Sequence, residues 1–472
     1  MKFELPSFVL EILNIFDKAG FEIYIVGGAV RDLLSKKIVD DWDFTTNAVP
    51  EEILKILPGA FYDNVFGTVG LAHPSSPNPY EITTYRREFD YTDHRRPSKV
   101  EWGKTLGEDL ERRDFTINAI ALKIQNPKSP GLAKRSEAGK IQKKEFITLE
   151  GDIIDHFGGQ KDLESKLIRA VGKPQERFKE DALRMMRAVR LAAELGFTIE
   201  NVTFAAINKN AALINKIAKE RVKDELFKIL TSPNPYEGIS LFRNSGLMAQ
   251  ILPEMEPAFS VEQKSPGRHH IYDVGTHSLM SLKFVAEKNQ DPIVRLATLI
   301  HDIGKPATHK KQKNGVVTFY NHEIVSARIA KNIAKRLRFS KKETEKLWKL
   351  VRFHQFTVDE RQTDSAIRRF IRNVGPEFVP DMLDLRIGDR LGGGARETSW
   401  RLEEFKKRLI EVQKQPFTVH DLKISGNDVM KFLRLRSGPK VGEALELLYD
   451  EVVEKKIPNE KKALMTRLKE LK

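Results

Sequence analysis

Four apolar residues, Ile23-Tyr24-Ile25-Val26, run straight into Gly27-Gly28, and a helix-like stretch over 29–34 follows at once. That order describes a strand turning sharply into a helix, with the backbone bare of side chains at the turn. It commits the front of the chain to an α/β or α+β domain. Strand candidates at 68–72 and 80–85, and a helix start at Pro50-Glu51-Glu52, continue the alternation to about residue 150.

Asp41-Trp42-Asp43-Phe44 comes next. In a strand, side chains alternate, so Asp41 and Asp43 face one way while Trp42 and Phe44 pack the other. Carboxylates two residues apart lie about 6–7 Å from each other by strand rise. That spacing suits one or two Mg²⁺ ions, which activate an attacking hydroxyl and neutralise a triphosphate. An isolated Asp-x-Asp describes a solvated edge strand equally well. Here Gly27-Gly28, where amides can approach phosphate, and Arg31 lie within the same 17 residues, and together they read as a phosphate-and-metal site.

The rest of the chain sets the context. Among 472 residues, 80 Lys and Arg outnumber 66 Asp and Glu, a formal charge of +14 that favours polyanionic partners such as nucleic acid or nucleotides. The absence of cysteine excludes disulfides, thiolate zinc sites, iron–sulfur clusters and cysteine nucleophiles. No apolar run reaches membrane-span length, and Glu4 and Pro6 interrupt the apolar start, so a cytoplasmic protein with no membrane partner is expected. After Gly159 the pattern turns mostly helical. The expected division is a head over 1–150, a helical neck over 151–235, a helical body over 236–395 and a basic helical tail over 396–472. Residues 123–145 read as an inserted loop, with seven Lys/Arg against two Glu. The tail residues 451–472 carry seven Lys/Arg against four Glu, a solvated face or a phosphate-contacting one.

Within 180–195, Leu183, Met186, Val189 and Ala193 mark an apolar stripe, while Asp181, Arg184, Arg187 and Arg190 recur every three residues on a polar helix face. Taken by itself this is an exposed ion-paired helix. Val26-Gly27-Gly28-Ala29-Val30-Arg31-Asp32-Leu33-Leu34, Asp41-Trp42-Asp43, Arg112-Arg113-Asp114-Phe115-Thr116-Ile117-Asn118-Ala119 and the 177–190 block, in that order, resemble the class II nucleotidyltransferases. These are the tRNA nucleotidyltransferases (CCA-adding enzymes) and bacterial poly(A) polymerases. The resemblance spans 21 to about 197. It implies an α+β head with a small mixed sheet and Mg²⁺ on Asp41 and Asp43, followed by helical domains. It also implies nucleotide contacts from Gly28, Arg31, Arg113, Asp181, Arg184, Arg187 and Arg190. Asp181 would accept from the exocyclic amine of the incoming base and Arg184 would donate to its ring edge, so that the protein acts as template. Asp114 is the expected third catalytic carboxylate, with Glu81 as its competitor. The implied reaction is CCA addition to the tRNA acceptor end from CTP and ATP, with pyrophosphate released. Poly(A) polymerase is the alternative within the family. The segment 91–97 resembles the family's flexible loop, tied to the change from CTP to ATP.

Seven of the eleven histidines fall between 269 and 354, under a fifth of the chain. His301-Asp302 ends the apolar run Leu296-Ala297-Thr298-Leu299-Ile300, which predicts a buried helix delivering both into an interior pocket. Imidazoles with carboxylates suit borderline divalent metals. His277, His301-Asp302 and Asp389 resemble the HD phosphohydrolase pattern, with His322 and His354 as ligands for a second metal. That resemblance implies a metal-dependent phosphohydrolase acting on RNA ends or nucleotides. A helical RNA-binding body without activity is the other reading.

Overall fold

The computed structural model describes residues 1–64, 67–72, 79–89, 99–125, 146–263, 272–359, 361–413, 419–454 and 456–470. It divides into two compact units, Met1–Pro253 and Glu254–Lys472.

The first unit opens with β1 (Lys2–Pro6) and α1 (Ser7–Lys18). Pro6 sits at the α1 N-cap, and Val9, Leu10, Ile12, Leu13 and Phe16 form the buried stripe. The apolar run becomes β2 (Ile23–Val26), and α2 (Gly28–Leu34), β3 (Asp43–Thr46) and α3 (Pro50–Ile56) follow. Next come β4 (Ala60–Asn64), β5 (Thr68–Leu71), β6 (Tyr80–Thr84), β7 (Arg86–Phe89), β8 (Lys99–Trp102), α4 (Leu106–Glu111), β9 (Ile120–Ile124) and β10 (Phe146–Asp155). One eight-stranded sheet runs β1-β10-β9-β2-β3-β6-β5-β4, and β7 with β8 forms a separate hairpin. β3 lies antiparallel to β2 and parallel to β6, so the sheet is mixed, as expected. All four residues of β2 are buried because it is an interior strand, flanked by β9 and β3.

The boundary expected at 150 falls inside β10, which pairs with β1 on one side and β9 on the other. Residues 123 and 124 of the expected insertion are the end of β9. Gln125 follows the strand, and the rest of that insertion, 126–145, lies outside the described residues, as does the loop at 91–97.

Helices follow: α5 (Gly159–Glu164), α6 (Pro174–Glu180), α7 (Leu183–Leu195), α8 (Asn201–Asn210), α9 (Lys219–Thr231), α10 (Pro235–Asn244) and α11 (Leu247–Ile251). The single helix expected over 180–195 is broken. Asp181 is extended, at φ −132°, and its Oδ1 accepts from the Leu183 backbone N–H at 3.0 Å. It therefore stands before α7 as a local turn cap, since a short carboxylate satisfies backbone donors better there than inside a helix.

The second unit is helical: α12 (Val274–Ala286), α13 (Pro292–Ile300), α14 (Lys305–Thr308), α15 (His322–Arg336), α16 (Lys341–Phe353), α17 (Asp364–Val374), α18 (Val379–Gly392), α19 (Trp400–Gln413), α20 (Gly426–Leu433), α21 (Pro439–Val453) and α22 (Lys461–Glu470). Helix α13 is the expected buried one. Asp291 caps it, Pro292 opens it, and every residue from Ile293 to Ile300 is buried. Each buried aliphatic side chain there contributes roughly 1.5–3 kcal/mol, enough to hold the residues that follow its C-terminus in place. The last three helices share their own core around Val429, Leu448, Leu464 and Leu468. No helix among the described residues is long and apolar enough to cross a membrane.

Candidate functional site

The turn after β2 forms the floor of the first site. Gly27 has φ +71° and ψ −137°, a conformation open essentially to glycine alone. A Cβ on it would stand 3.1 Å from Asp43 Oδ2 and 3.3 Å from Arg113 Nη1. The glycine therefore lets a carboxylate and a guanidinium close in on the backbone turn. Trp42 and Phe44 are buried, and Trp42 meets Phe8 edge-on at 6.4 Å. This packing turns Asp43 to the opposite side, with Asp41 exposed just ahead of the strand.

Asp43 pairs in register with Glu81 on β6. Burial, and then the charges of Asp41 and Glu81 against those of Arg113 and Arg187, push the Asp43 carboxyl up to about 7. Beside this burial, the charges of Asp41 and Glu81 concentrate negative potential at Asp43. Three oxygen-donor residues of this kind fit a hard divalent ion.

Asp114 is placed differently. Its Oδ1 accepts from the Phe115 N–H at 2.8 Å and from Asn118 Nδ2 at 3.4 Å, and Oδ2 meets Arg187 Nη2 at 2.8 Å. Burial would raise its carboxyl, but Arg187 and Arg184 with these hydrogen bonds hold it lowered. It is an internal anchor for Arg187. Glu81, the competitor, is the acid in register with Asp43. The sequence signal for Glu81 was the alternation in Tyr80-Glu81-Ile82, where Tyr80 and Ile82 are buried and Glu81 is exposed.

Asp109, missed in the sequence, organises the cationic side. It is fully buried and bonds Arg112 Nη2 at 2.6 Å and Arg113 Nη2 at 3.1 Å. Burial opposes its charge, yet Arg112 and Arg113 keep its carboxyl lowered. Arg31 is clasped by Asp32 and donates Nη1 to Asn118 Oδ1 at 2.9 Å. Asn118 thereby links Arg31 to Asp114.

On α7 the arginines divide. Arg187 reaches Asp114, with its side chain 38% exposed. Arg184 is buried, bonded to Glu180 at 2.5 Å and to the Arg112 carbonyl at 3.1 Å. Arg190 instead meets Glu194 at 3.1 Å and Glu225 of α9 at 2.8 Å, so its charge is spent on helix packing. Asp181 Oδ2 takes Arg221 Nη2 at 3.4 Å.

The second unit brings the predicted histidines together. His277 Nε2 lies 3.1 Å from Asp389 Oδ1 and 3.6 Å from Asp302 Oδ2, and His301 Nε2 lies 3.2 Å from the same Asp302 oxygen. Asp302 Oδ1 faces His322 Nε2 at 3.1 Å and His354 Nε2 at 3.6 Å. Each oxygen of Asp302 thus serves one histidine pair, and two candidate metal groups share this carboxylate: His277–His301–Asp302 and Asp302–His322–His354. All four histidines and Asp302 are buried.

His301, His322 and His354 direct Nδ1 to the carbonyls of Thr298, Phe319 and Val351 at 2.7–2.8 Å. Those carbonyls hold each ring by its Nδ1 and turn its Nε2 inward. His322 Nε2 and His354 Nε2 then face each other at 3.3 Å, an apposition that a shared cation relieves. Burial would lower the His301 imidazole, but Asp302 and Asp389 push it up to about 10. Burial, with the His301 and His322 charges, keeps His354 lowered. Of Asp381, Asp384 and Asp389, the structure brings Asp389 to the cluster; Asp381 and Asp384 bond Asn289 instead. Lys305 and Arg386, to which the sequence reading gave no role, line the same cavity, of about 460 Å³.

Comparison with known proteins bears on both units. The poly A polymerase head domain model matches 23–169, that of the "Probable RNA and SrmB- binding site of polymerase A" matches 196–259, and that of tRNA nucleotidyltransferase domain 2 matches 309–468. The CCA-adding enzyme of Lactococcus lactis subsp. lactis is 30% identical over 480 residues, covering 100% of both chains. That of Lactobacillus johnsonii is 41% identical over 249 residues, 52% of this chain and 56% of that relative. Among solved structures, the Bacillus stearothermophilus CCA-adding enzyme in complex with CTP superposes with a TM-score of 0.70 at 27% identity, over 99% of this chain and 98% of that one.

Proposed function

The chain belongs to the family of class II CCA-adding enzymes and poly(A) polymerases, and on that premise we infer that it adds C, C and A to the 3′ end of tRNA from CTP and ATP, without a template strand and with release of pyrophosphate. The observation that carries this reading is the convergence of Asp41, Asp43 and Glu81 beside Gly27 and Arg113. Full-length likeness to a CCA-adding enzyme supports it.

Asp41, Asp43 and Glu81 would hold Mg²⁺. When bound, the ion supplies charge neutralisation for the triphosphate and acidity for the attacking 3′ hydroxyl. The chain's own residues do the positioning. The bare Gly27-Gly28 backbone admits a phosphate group, and Arg113, steadied by buried Asp109, offers positive charge beside it. Arg187, braced on Asp114, carries charge from α7 toward the same carboxylates. Asp181, just ahead of α7, and Arg184, in its first turn, would offer an acceptor and a donor to the base edge. Arg31 and Gly28 complete the nucleotide contacts, and Arg190 acts through α7 by fixing its packing on α9.

The histidine cluster is a second centre, an HD-type phosphohydrolase site. Its support is the sharing of Asp302 between two histidine pairs, a donor set that suits two divalent metals at one carboxylate.

Base selection by the protein is tested with Asp181→Ala. Loss of the acceptor for the exocyclic amine should cut the preference for CTP over UTP about ten- to a hundredfold, measured as the ratio of kcat/KM values on a tRNA transcript lacking its last three nucleotides. An unchanged ratio would remove Asp181 from base recognition.

A further inference from the structure

The turn after α13 sets a cation on the carboxylate that both histidine pairs share. The Gly304 N–H donates to Ser326 Oγ at 2.9 Å, and a Cβ on Gly304 would meet the His322 carbonyl at 2.5 Å. Only a glycine fits that approach, so the backbone between Asp302 and Lys305 is locked against α15. Lys305 stands one turn beyond Asp302, and its Nζ donates to Oδ2 at 2.5 Å.

The same oxygen lies 3.2 Å from His301 Nε2 and 3.6 Å from His277 Nε2. It is therefore the oxygen that the His277–His301–Asp302 group offers to an ion. Lys305 also donates to Oε1 of buried Gln263 at 2.6 Å. Its ammonium lies 5.4 Å from the Phe319 ring, and Gln263, Lys305 and Phe319 all line the cavity of about 460 Å³. The lysine thus has a second hydrogen-bond acceptor and a ring face on the cavity side, where its charge is tolerated. An ammonium and a divalent ion on one buried oxygen repel each other, with little water between them to screen the charges. The backbone is fixed while the lysine stem is four flexible carbons, so the side chain is what yields.

We propose that Lys305 competes with a divalent ion for this oxygen: an ion entering between His277 and His301 drives the ammonium off Asp302 into the cavity, where it holds an anion. Metal binding and anion binding are thereby coupled through one side chain. The inference rests on reading the cluster as a metal centre and concerns how that centre is loaded.

The test uses the full chain, with millimolar Mg²⁺ for the head and Ni²⁺ as the probe, because imidazoles favour Ni²⁺ over Mg²⁺. By calorimetric titration, Lys305→Met should bind Ni²⁺ at least about tenfold more tightly than the wild type, whereas loss of a merely supporting residue would weaken it by about 10–100-fold. Inorganic phosphate titrated into the Ni²⁺-loaded chains should bind Lys305→Met about tenfold more weakly than the wild type. Lys305→Arg, which keeps the charge, should bind Ni²⁺ no more tightly than the wild type. Melting temperatures serve where a variant is too unstable to titrate: the rise on adding Ni²⁺ should be larger in Lys305→Met than in the wild type. Ni²⁺ affinity unchanged or weakened in Lys305→Met would overturn the competition, and unchanged phosphate affinity would overturn the anion-holding role. A wild type that binds Ni²⁺ no better than Asp302→Asn would instead defeat the reading of the cluster as a metal centre.

Discussion

Asp43→Asn should lower nucleotide addition by at least about a thousandfold while raising the melting temperature of the metal-free protein. The loss follows from removing the central donor of a site whose metal supplies several kcal/mol of transition-state charge stabilisation. The gain in stability follows from the raised carboxyl of Asp43. Its folded value of about 7 lies above the ordinary aspartate value of 3.8, so the unfolded state releases this proton more readily, and folding is penalised wherever the carboxyl is ionised in both states. The penalty is absent below the unfolded value and fully present above 7. Asparagine keeps the shape and removes the charge. At pH 8 without metal the variant should therefore melt higher than the wild type, and saturating Mg²⁺ should narrow the gap by stabilising only the wild type. Scanning calorimetry with and without the ion reads both effects. A variant that is inactive and also less stable in metal-free buffer would point to a structural role for Asp43.

Asp302→Asn should strip the second unit of its divalent metal and leave nucleotide addition within about twofold of wild type. One side chain serves both histidine pairs, so its loss removes a ligand from both candidate groups at once. Asp302 also meets Lys305 at 2.5 Å and is buried with His301. Removing one partner of a buried charge pair costs about 3–5 kcal/mol, and asparagine, which still accepts hydrogen bonds, softens that cost. Metal content per chain after gel filtration, measured by mass spectrometry, decides the matter. Equal content in wild type and variant would contradict the metal assignment.

Where the sequence was legible, local rules and function agreed. The strand–glycine–helix turn appears as β2, Gly27 and α2 because a positive φ beside a carboxylate admits little else. The apolar run before His301 is a buried helix: all eight residues after Pro292 are buried, Arg295 included, its guanidinium satisfied by the carbonyls of Asn289 and Ala286. The histidine set was readable because imidazoles are scarce elsewhere in the chain. What the sequence hid was pairing across distance. Glu81 and Asp114 are both acids near strands, and only the parallel register of β3 with β6 sets Glu81 beside Asp43. The three-residue repeat of Asp181 and the arginines looked like one helix face, yet the extended backbone at Asp181 separates it from α7. Arg190 read as a nucleotide contact, and nothing in the sequence signalled its ion pair with Glu225, 35 residues further on in another helix. Lys305 and Arg386 fall in one cavity only once α14 and α18 are folded beside the cluster.

The measurement that bears most directly on the account is the sizing, at single-nucleotide resolution, of products made by the full chain with Mg²⁺. The substrates are tRNA transcripts ending at the discriminator base, at C or at CC, each given CTP, ATP or both. CTP alone should give two additions on the first transcript, one on the second and none on the third. ATP alone should add a single A to the transcript ending in CC, and both nucleotides together should finish every transcript at CCA and stop. A long A tail from ATP on any RNA, or no addition to any transcript, would contradict it.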